Sequence, residues 1–289
     1  LEPCCHQGKT PPCVDKIISS GIEKVYVSIK DPDERVSGKG IDKLLSAGVK
    51  VHLGLCELES LELNREFIHR NLTGKAYGVL KWAMSLDGRI GLKNGKSKWI
   101  SSEKSRSLVH LLRADFDAIV IGGNTMRSDN PLLTSRGLKS PEPLRVIYTR
   151  SLDLPRESLL WDTSKARTLV VYDSSSANQE YLSRIPSGVE IEKLSSSNPA
   201  LLAKLLAMKG CNKILWECGP ILATEALKHD CIQETLTFIS PKLLGGNSAM
   251  TPLSDFNFTD MKEVINLKHL GLNAYENDLG ANDKDGCKK

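Results

Sequence analysis

The chain has 289 residues, 40% of them hydrophobic and 26% charged, and 39 basic against 35 acidic side chains give a net charge of +4. Those proportions are the signature of a soluble globular chain with room for one to three domains. No run of about 18 apolar residues occurs, so no membrane span is expected, and so mild a charge does not argue for nucleic acid.

The first thirteen residues read LEPCCHQGKTPPC. Pro3-Cys4 and Pro12-Cys13 resemble the cysteine half of a zinc nucleobase-deaminase site. That chemistry needs two thiolates, a third ligand and a carboxylate that moves protons around a zinc-bound water. The last two normally come from an upstream H-x-E helix, and Glu2 does not match that carboxylate. The start inside a motif, without Met, reads as a truncated chain, and a targeting segment could have been lost with the missing part. LEPCCHQG itself has neither the basic nor the apolar region of a signal peptide.

Residues 14–75 then alternate helix and strand signals. VDKIISSG reads as a helix ending at Gly21, EKVYVSIK as a strand and GIDKLLSAG as a helix closed by Gly48. VKVHLGL reads as a strand and LESLELNREFIHRNL as one amphipathic helix. Residues 72–75 look like a domain boundary. A second, longer α/β series follows from Ala76. AYGVLKWAMSL is a strand, and SSEKSRSLVHLLRA is a helix capped by Ser101 or Ser102. DAIVIG, LRVIYT, RTLVVYD, GVEIEKL, KILWE and ETLTFISP are further strands, with helices near 199–209 and 219–228. Short apolar strands of this kind predict a sheet covered on both faces. The polar tail 277–289 is expected to be disordered.

Eight cysteines spread over so long a chain do not form a disulfide framework. Cys56, Cys211, Cys218 and Cys231 lie in or beside apolar stretches and read as buried thiols of a reducing compartment. Between Arg89 and Arg113 stand seven Lys or Arg residues against one acid, Glu103. This is either a solvated face or a positive field for a phosphorylated small molecule.

Two glycine turns follow apolar strands, Gly122-Gly123-Asn124-Thr125 and Cys218-Gly219-Pro220. Each exposes backbone N–H groups at a helix start, and together they could cradle a dinucleotide pyrophosphate. Neither is a GxGxxG fingerprint, and a lone glycine turn is often only a tight connection. Three polar loops sit beside strand ends, where α/β proteins place ligands: Ser85–Arg89, Ser97–Ser101 and Thr125–Pro131.

The series from Lys81 to Arg89, Ser97-Lys98-Trp99-Ile100, Leu111-Leu112-Arg113, Gly122 through Pro131 and Glu217-Cys218-Gly219-Pro220 resembles the reductase domain of riboflavin biosynthesis. LEPCCHQGKTPPC resembles the end of the deaminase domain fused before it in the bifunctional deaminase/reductase family, including its long Cys-to-Cys spacing. The resemblance covers about residues 1–270. It implies a truncated cytidine-deaminase-like α/β domain over 1–74, then a mixed-sheet reductase domain with a dihydrofolate-reductase-like fold over 75–276.

The implied reaction is NADPH-dependent reduction of the ribosyl group of 5-amino-6-(5-phosphoribosylamino)uracil to the ribityl product. NADPH is expected against Met84, Trp99, Thr125, Asp129, Thr149, Gly219, Pro220, Ile221 and Leu222. The phosphorylated pyrimidine is expected against Ser97, Arg113, Leu133, Arg136 and Glu217, with Arg113 and Arg136 suited to a phosphate. Asp129 is the first choice for proton transfer and Lys81 the second, its alternative being a lysine stem packed on a strand. Cys4 and Cys13 form a zinc pair only if an upstream ligand exists. One rival is a full-length protein that also deaminates, and another is an inactive packing module. No nucleic-acid or membrane partner is expected, and a homodimer is compatible with the resemblance. A plant-type chain would work in the plastid stroma and a bacterial one in the cytoplasm.

Overall fold

In the computed structural model, which describes residues 1–268, 270–275 and 278–283, the chain divides into two units, Leu1–Gly74 and Lys75–Lys289. The first unit contains α1 (Cys13–Ser19), β1 (Lys24–Val27), α2 (Lys39–Ser46), β2 (Lys50–Leu53), α3 (Glu57–Leu63) and α4 (Arg65–Thr73). Strands β1 and β2 pair in parallel, and Val14, Leu44 and Val49 form a small core. The single helix expected over 58–72 is two helices. Asn64 spends its side-chain N–H on the Ser60 carbonyl (2.8 Å), four residues back, and the chain turns there.

The second unit holds β3 (Tyr77–Ser85), α5 (Glu103–Ala114), β4 (Ala118–Gly122), α6 (Gly123–Asp129), β5 (Leu144–Thr149) and β6 (Thr168–Asp173). It continues with β7 (Glu190–Leu194), α7 (Pro199–Met208), β8 (Lys213–Trp216), α8 (Pro220–Lys228), β9 (Glu234–Ser240), β10 (Leu270–Tyr275) and β11 (Asp278–Asp283). One sheet runs β10-β11-β9-β3-β8-β4-β5-β6-β7. Strands β9 through β7 in that order are all parallel, and β11 and β10 add an antiparallel edge. This is a mixed α/β fold.

Alternation along the strands splits the core in two, as period-2 geometry requires. Leu80, Val120, Val146 and Trp216 share one face with α7 and α8 residues. Val79, Ile119, Ile121 and Leu215 share the other with Phe116, Met126 and Leu133. Of the four cysteines expected inside, Cys211 and Cys231 are buried and Cys218 is half-buried. Cys56 is exposed, because it opens α3, a helix that buries none of its residues.

The tail differs from its expectation. Residues 278–283 are strand β11, whose backbone pairs with β9 from Leu279↔Ile239 to Asp283↔Thr235. The sequence DLGAND carries no apolar run to announce this, and the sheet edge supplies the partners. Residues 277 and 284–289 lie outside the described residues.

Gly78 shows how tightly β3 is packed. A Cβ there would stand 1.8 Å from the Cys231 carbonyl oxygen and 2.9 Å from the Trp216 indole nitrogen. Gly78→Ala is therefore expected to cost about 1–3 kcal/mol, since backbone must move to admit the methyl. Denaturant melts read this directly, and an unchanged midpoint would refute it.

Candidate active site

Sheet register builds the centre of the site. Leu80 pairs Trp216 across β3 and β8, so the next residues, Lys81 and Glu217, emerge side by side at the carboxyl ends. Both follow the alternation of Val79 and Leu215, the face covered by α5. From that helix Arg113 donates Nε to Glu217 Oε1 (2.7 Å) and Nη2 to Oε2 (3.1 Å). Lys81 Nζ lies 3.7 Å from Oε2. These side chains are only 10–16% exposed. Burial pushes the Glu217 carboxyl up, but the Arg113 and Lys81 charges outweigh it and hold it at about 2. Burial pulls the Lys81 ammonium below its ordinary range, Arg113 adds to this, and Glu217 opposes it.

The orientation of α5 is fixed at its start. Ser102 is the cap, accepting from Ser105 N (3.2 Å). Buried Asp278 on β11 accepts from Ser102 N (2.6 Å) and Ser105 Oγ (2.7 Å). Strand β11 thus holds the helix that carries Arg113.

A cleft of about 1340 Å³ opens over this cluster along the carboxyl ends of the parallel strands, the usual ligand position in such sheets. Its lining includes the expected Lys81, Ser97, Trp99, Arg113, Thr125, Asp129, Leu133, Arg136, Thr149 and Glu217, and the turn from Gly219 to Leu222. Met84 is the exception: it pairs Ile239 within the sheet and is absent from the lining. Register accounts for this, because Met84 lies three residues beyond Lys81 on a strand that runs on past the cleft toward Ser85. Arg113 lines the cleft with protein partners as well. Its Nη1 donates to the Thr134 carbonyl (3.2 Å), so three of its five N–H groups are engaged.

Part of the basic stretch 89–113 faces the cleft. Arg106 stacks 4.3 Å from the centre of the exposed Trp99 ring and donates to Ser101 O (2.7 Å). Lys98 Nζ donates to Asp129 O (3.3 Å). Asp129 itself ends α6, half-buried, and accepts from Ser128 Oγ (3.0 Å).

The two glycine turns come together because β4 and β8 are neighbours. The turn at 122–125 opens a helix as expected, and the expected loop Thr125–Pro131 is helical as far as Asp129, which the sequence hides because only Gly123 and Met126 are buried in α6. Neither α6 nor α8 has a side-chain cap. A Cβ on Gly123 would come 3.2 Å from Thr149 Oγ1, one on Gly122 3.7 Å from Leu222, and one on Gly219 3.9 Å from Thr125 Oγ1. These bare glycines leave a cradle that a methyl would fill, with N–H groups free to meet a phosphate.

Sequence reading missed His110, although it stands three residues before Arg113 on one helix face. It lines the cleft, and its Nδ1 lies 3.4 Å from Thr134 O. It also missed Glu142, which accepts from Ser135 N (2.6 Å) and Gly137 N (2.7 Å). That carboxylate ties down a loop in which Leu133, Arg136 and Gly137 all have positive φ.

In the first unit Cys13 N donates to Cys4 Sγ (3.3 Å), and the hydrogen bond with Cys4 raises the Cys13 thiol pKa. Among the described residues no group of three His, Cys, Asp or Glu side chains gathers to hold a metal. The residues present do not assemble a zinc site. Buried Glu2 has a local role instead. It accepts from Asp31 N (3.0 Å), Gly38 N (2.5 Å) and Ile41 N (3.2 Å), tying the cysteine loop to the start of α2.

Fold and site together define a mixed α/β protein with a deep, cation-lined ligand cleft at the carboxyl edge of a parallel sheet. Residues 76–280 match the family model described as the RibD C-terminal domain. Riboflavin biosynthesis protein RibD of Synechocystis sp. is 42% identical over 275 residues, covering 95% of this chain and 74% of that protein. The chloroplastic riboflavin biosynthesis protein PYRR of Arabidopsis thaliana is 36% identical, covering 91% of this chain and 45% of that protein. The structure of a diaminohydroxyphosphoribosylaminopyrimidine deaminase/5-amino-6-(5-phosphoribosylamino)uracil reductase from Thermotoga maritima superposes with a TM-score of 0.84 at 30% identity, covering 98% of this chain and 77% of that one. The chain belongs to the RibD family of riboflavin biosynthesis.

Proposed function

We propose that the second unit reduces the ribosyl group of 5-amino-6-(5-phosphoribosylamino)uracil with NADPH. The observation that carries this reading is the buried Lys81–Glu217–Arg113 cluster beneath a cleft flanked by two uncapped glycine turns. NADPH, when bound, supplies the hydride that C1′ of the sugar takes up. The turns at Gly122-Gly123 and Gly219-Pro220 would hold its phosphates, with Thr125, Asp129, Thr149, Ile221 and Leu222 along it and Trp99 at the open side.

The protein's share of the chemistry is position and one proton. When the C1′–O4′ bond breaks, O4′ takes a proton, and with the hydride at C1′ the sugar becomes a ribityl chain. Lys81 is the better donor. It is buried beside Glu217, which keeps it charged, while burial makes it more acidic than a surface lysine. Asp129 is half-exposed at a helix end and suits a hydroxyl of the cofactor. Glu217 and Ser97 offer hydrogen bonds to the substrate's polar groups, Leu133 offers an apolar contact, and Arg136 offers a cation for its phosphate.

Deamination is not part of this proposal: among the described residues Cys4 and Cys13 are not joined by a third ligand, and the pair stays conditional on an upstream one. No described helix is long and apolar enough to cross a membrane. The chloroplastic relative supports a plastid address for a plant-type chain.

The test is NADPH oxidation by the full chain with the phosphoribosylaminouracil as substrate. Turnover is expected, and Lys81→Met should slow it by about 10²–10⁴-fold, the usual contribution of a positioned acid. A folded wild-type chain that binds NADPH but oxidises none with this substrate would overturn the reading.

A further inference from the structure

The cations around the cleft are unequally available. Lys81 and Arg113 face Glu217, and Arg113 also donates to Thr134 O, which leaves two of its five N–H groups. Arg106 is stacked on Trp99, and Lys98 is bonded to a carbonyl. Arg136 and Arg150 are exposed, line the cleft and have no side-chain hydrogen-bond or ion-pair partner among the described residues. Arg150 follows Thr149 at the end of β5, whereas Arg136 stands on the loop that also meets His110. A bound dianion ordinarily collects several charge-assisted donors, so a phosphate at Arg136 calls for further donors.

We propose that His110 is the second ligand of that phosphate and binds it only by taking up a proton. The reductase proposal above supplies the owner of the phosphate; the anion site stands on its own geometry. His110 and Arg136 line the same cleft, and the loop carrying Arg136 also supplies Thr134 O to His110 Nδ1 at 3.4 Å. A carbonyl oxygen can only accept, so Nδ1 carries the proton in the neutral ring. Nε2 is then a lone pair, which repels an anion. Only the imidazolium presents an Nε2–H donor while keeping Nδ1–H on Thr134 O, so with that bond kept anion binding and protonation are one event.

The surroundings set the free state the right way. Burial lowers the His110 pKa first, and Arg113 on its own helix and Arg136 on the loop lower it further. Thr134 O and Glu217, at the end of β8, act in the opposite direction and do not prevail. The ring is therefore neutral in the empty cleft at neutral pH. An anion beside Arg136 cancels part of the repulsion and draws a proton onto the ring. The loop does not need to be ordered by the ligand, because Glu142 already fixes it through Ser135 N and Gly137 N.

The experiment is a proton NMR titration of the histidine rings of the full chain, with and without sodium sulfate, a dianion across the whole range used. His110→Gln assigns the resonance. The His110 pKa is expected to rise by about one unit with saturating sulfate, and sulfate should bind about tenfold more tightly near pH 5.5 than near pH 8. In His110→Gln that pH dependence should shrink to about twofold or less. A His110 resonance that sulfate does not move would overturn the proposal, and this reading is made on the wild-type chain, whatever the variant's folding. A variant that keeps the wild-type pH dependence would overturn it as well. NADPH turnover with an unresponsive His110 removes this proposal and leaves the reductase standing. A responsive His110 without turnover supports the anion site and removes the reductase.

Discussion

Glu217→Gln is expected to lower the stability of the second unit by about 3–5 kcal/mol and kcat/KM by about 10²-fold or more. Removing one member of a buried ion cluster leaves the others buried without compensation. Here two cations, Lys81 and Arg113, would face each other across the vacated carboxylate. Lys81 would suffer most. Burial and Arg113 already lower its pKa, and Glu217 is the group that opposes them. Without it the Lys81 pKa falls further, and the proton it is proposed to give is held less firmly.

Acid should reveal the same cluster. The Glu217 carboxyl moves from an ordinary 4.5 to about 2 in the folded protein. Its stabilisation is complete above 4.5, where the unfolded chain is also ionised, and is lost as pH falls from 4.5 toward 2. Glu217→Gln should lack this part of the acid transition. The double variant Arg113→Met/Glu217→Gln should recover stability relative to Glu217→Gln, because the two side chains touch and their effects do not add. Urea unfolding between neutral and acid pH measures both. Equal acid sensitivity in wild type and Glu217→Gln would show that the cluster does not govern stability.

The strands β3 to β9 were legible from apolar runs, and from alternation in β7, and the cap of α5 was narrowed to Ser101 or Ser102 because a hydroxyl precedes an amphipathic stretch. What escaped reading depends on partners remote in sequence. Strand β11 is polar and exists by pairing with β9. Helix α6 opens with two glycines and buries one large side chain, so no apolar period marks it. The break at Asn64 turns on one side-chain hydrogen bond inside a pattern that otherwise reads as continuous.

The site was legible as a set of residue types but not as a set of pairs. Arg113 and Glu217 are 104 positions apart, and only the register of β3 on β8 and the lie of α5 bring them together with Lys81. That pairing gives Arg113, expected as a phosphate ligand, a protein partner in Glu217 that its residue type did not announce. Met84 falls outside the cleft for the same kind of reason, since its distance along the strand matters and its residue type does not reveal it.

Arg145→Leu is expected to cost about 4 kcal/mol or more, although Arg145 touches nothing in the cleft and the change is apolar for a buried site. The side chain is 0% exposed on β5. Nη1 donates to Leu132 O (3.3 Å) and Leu159 O (3.4 Å). Nη2 reaches Leu160 O (3.1 Å), Asp162 O (2.9 Å), Ala166 O (2.7 Å) and Thr168 Oγ1 (2.6 Å). These carbonyls lie outside the strands of the sheet, and the guanidinium is the donor they share. Leu160 O keeps Thr168 Oγ1 and Asp162 O keeps Lys165 N, so the change strands Leu132 O, Leu159 O and Ala166 O. A buried acceptor without a donor costs about 1–3 kcal/mol, so stranding these together outweighs the gain from removing a buried charge. Lysine should be intermediate: one ammonium has three N–H groups against the guanidinium's five, and they radiate from a single atom.

The order Arg, Lys, Leu is thus a test of hydrogen-bond count against charge. If charge alone mattered, Lys would match Arg. If burial cost dominated, Leu would be the most stable of the three. Leu132 O also lies next to Leu133, at the head of the loop that carries Arg136. Arg145→Leu should therefore raise KM for the phosphorylated substrate more than it lowers kcat, because it loosens a binding loop and leaves Lys81 in place. Thermal melts, with a loss of roughly 10 °C expected for Leu at about 2–4 °C per kcal/mol, and steady-state kinetics at a temperature where all three proteins are folded separate these outcomes.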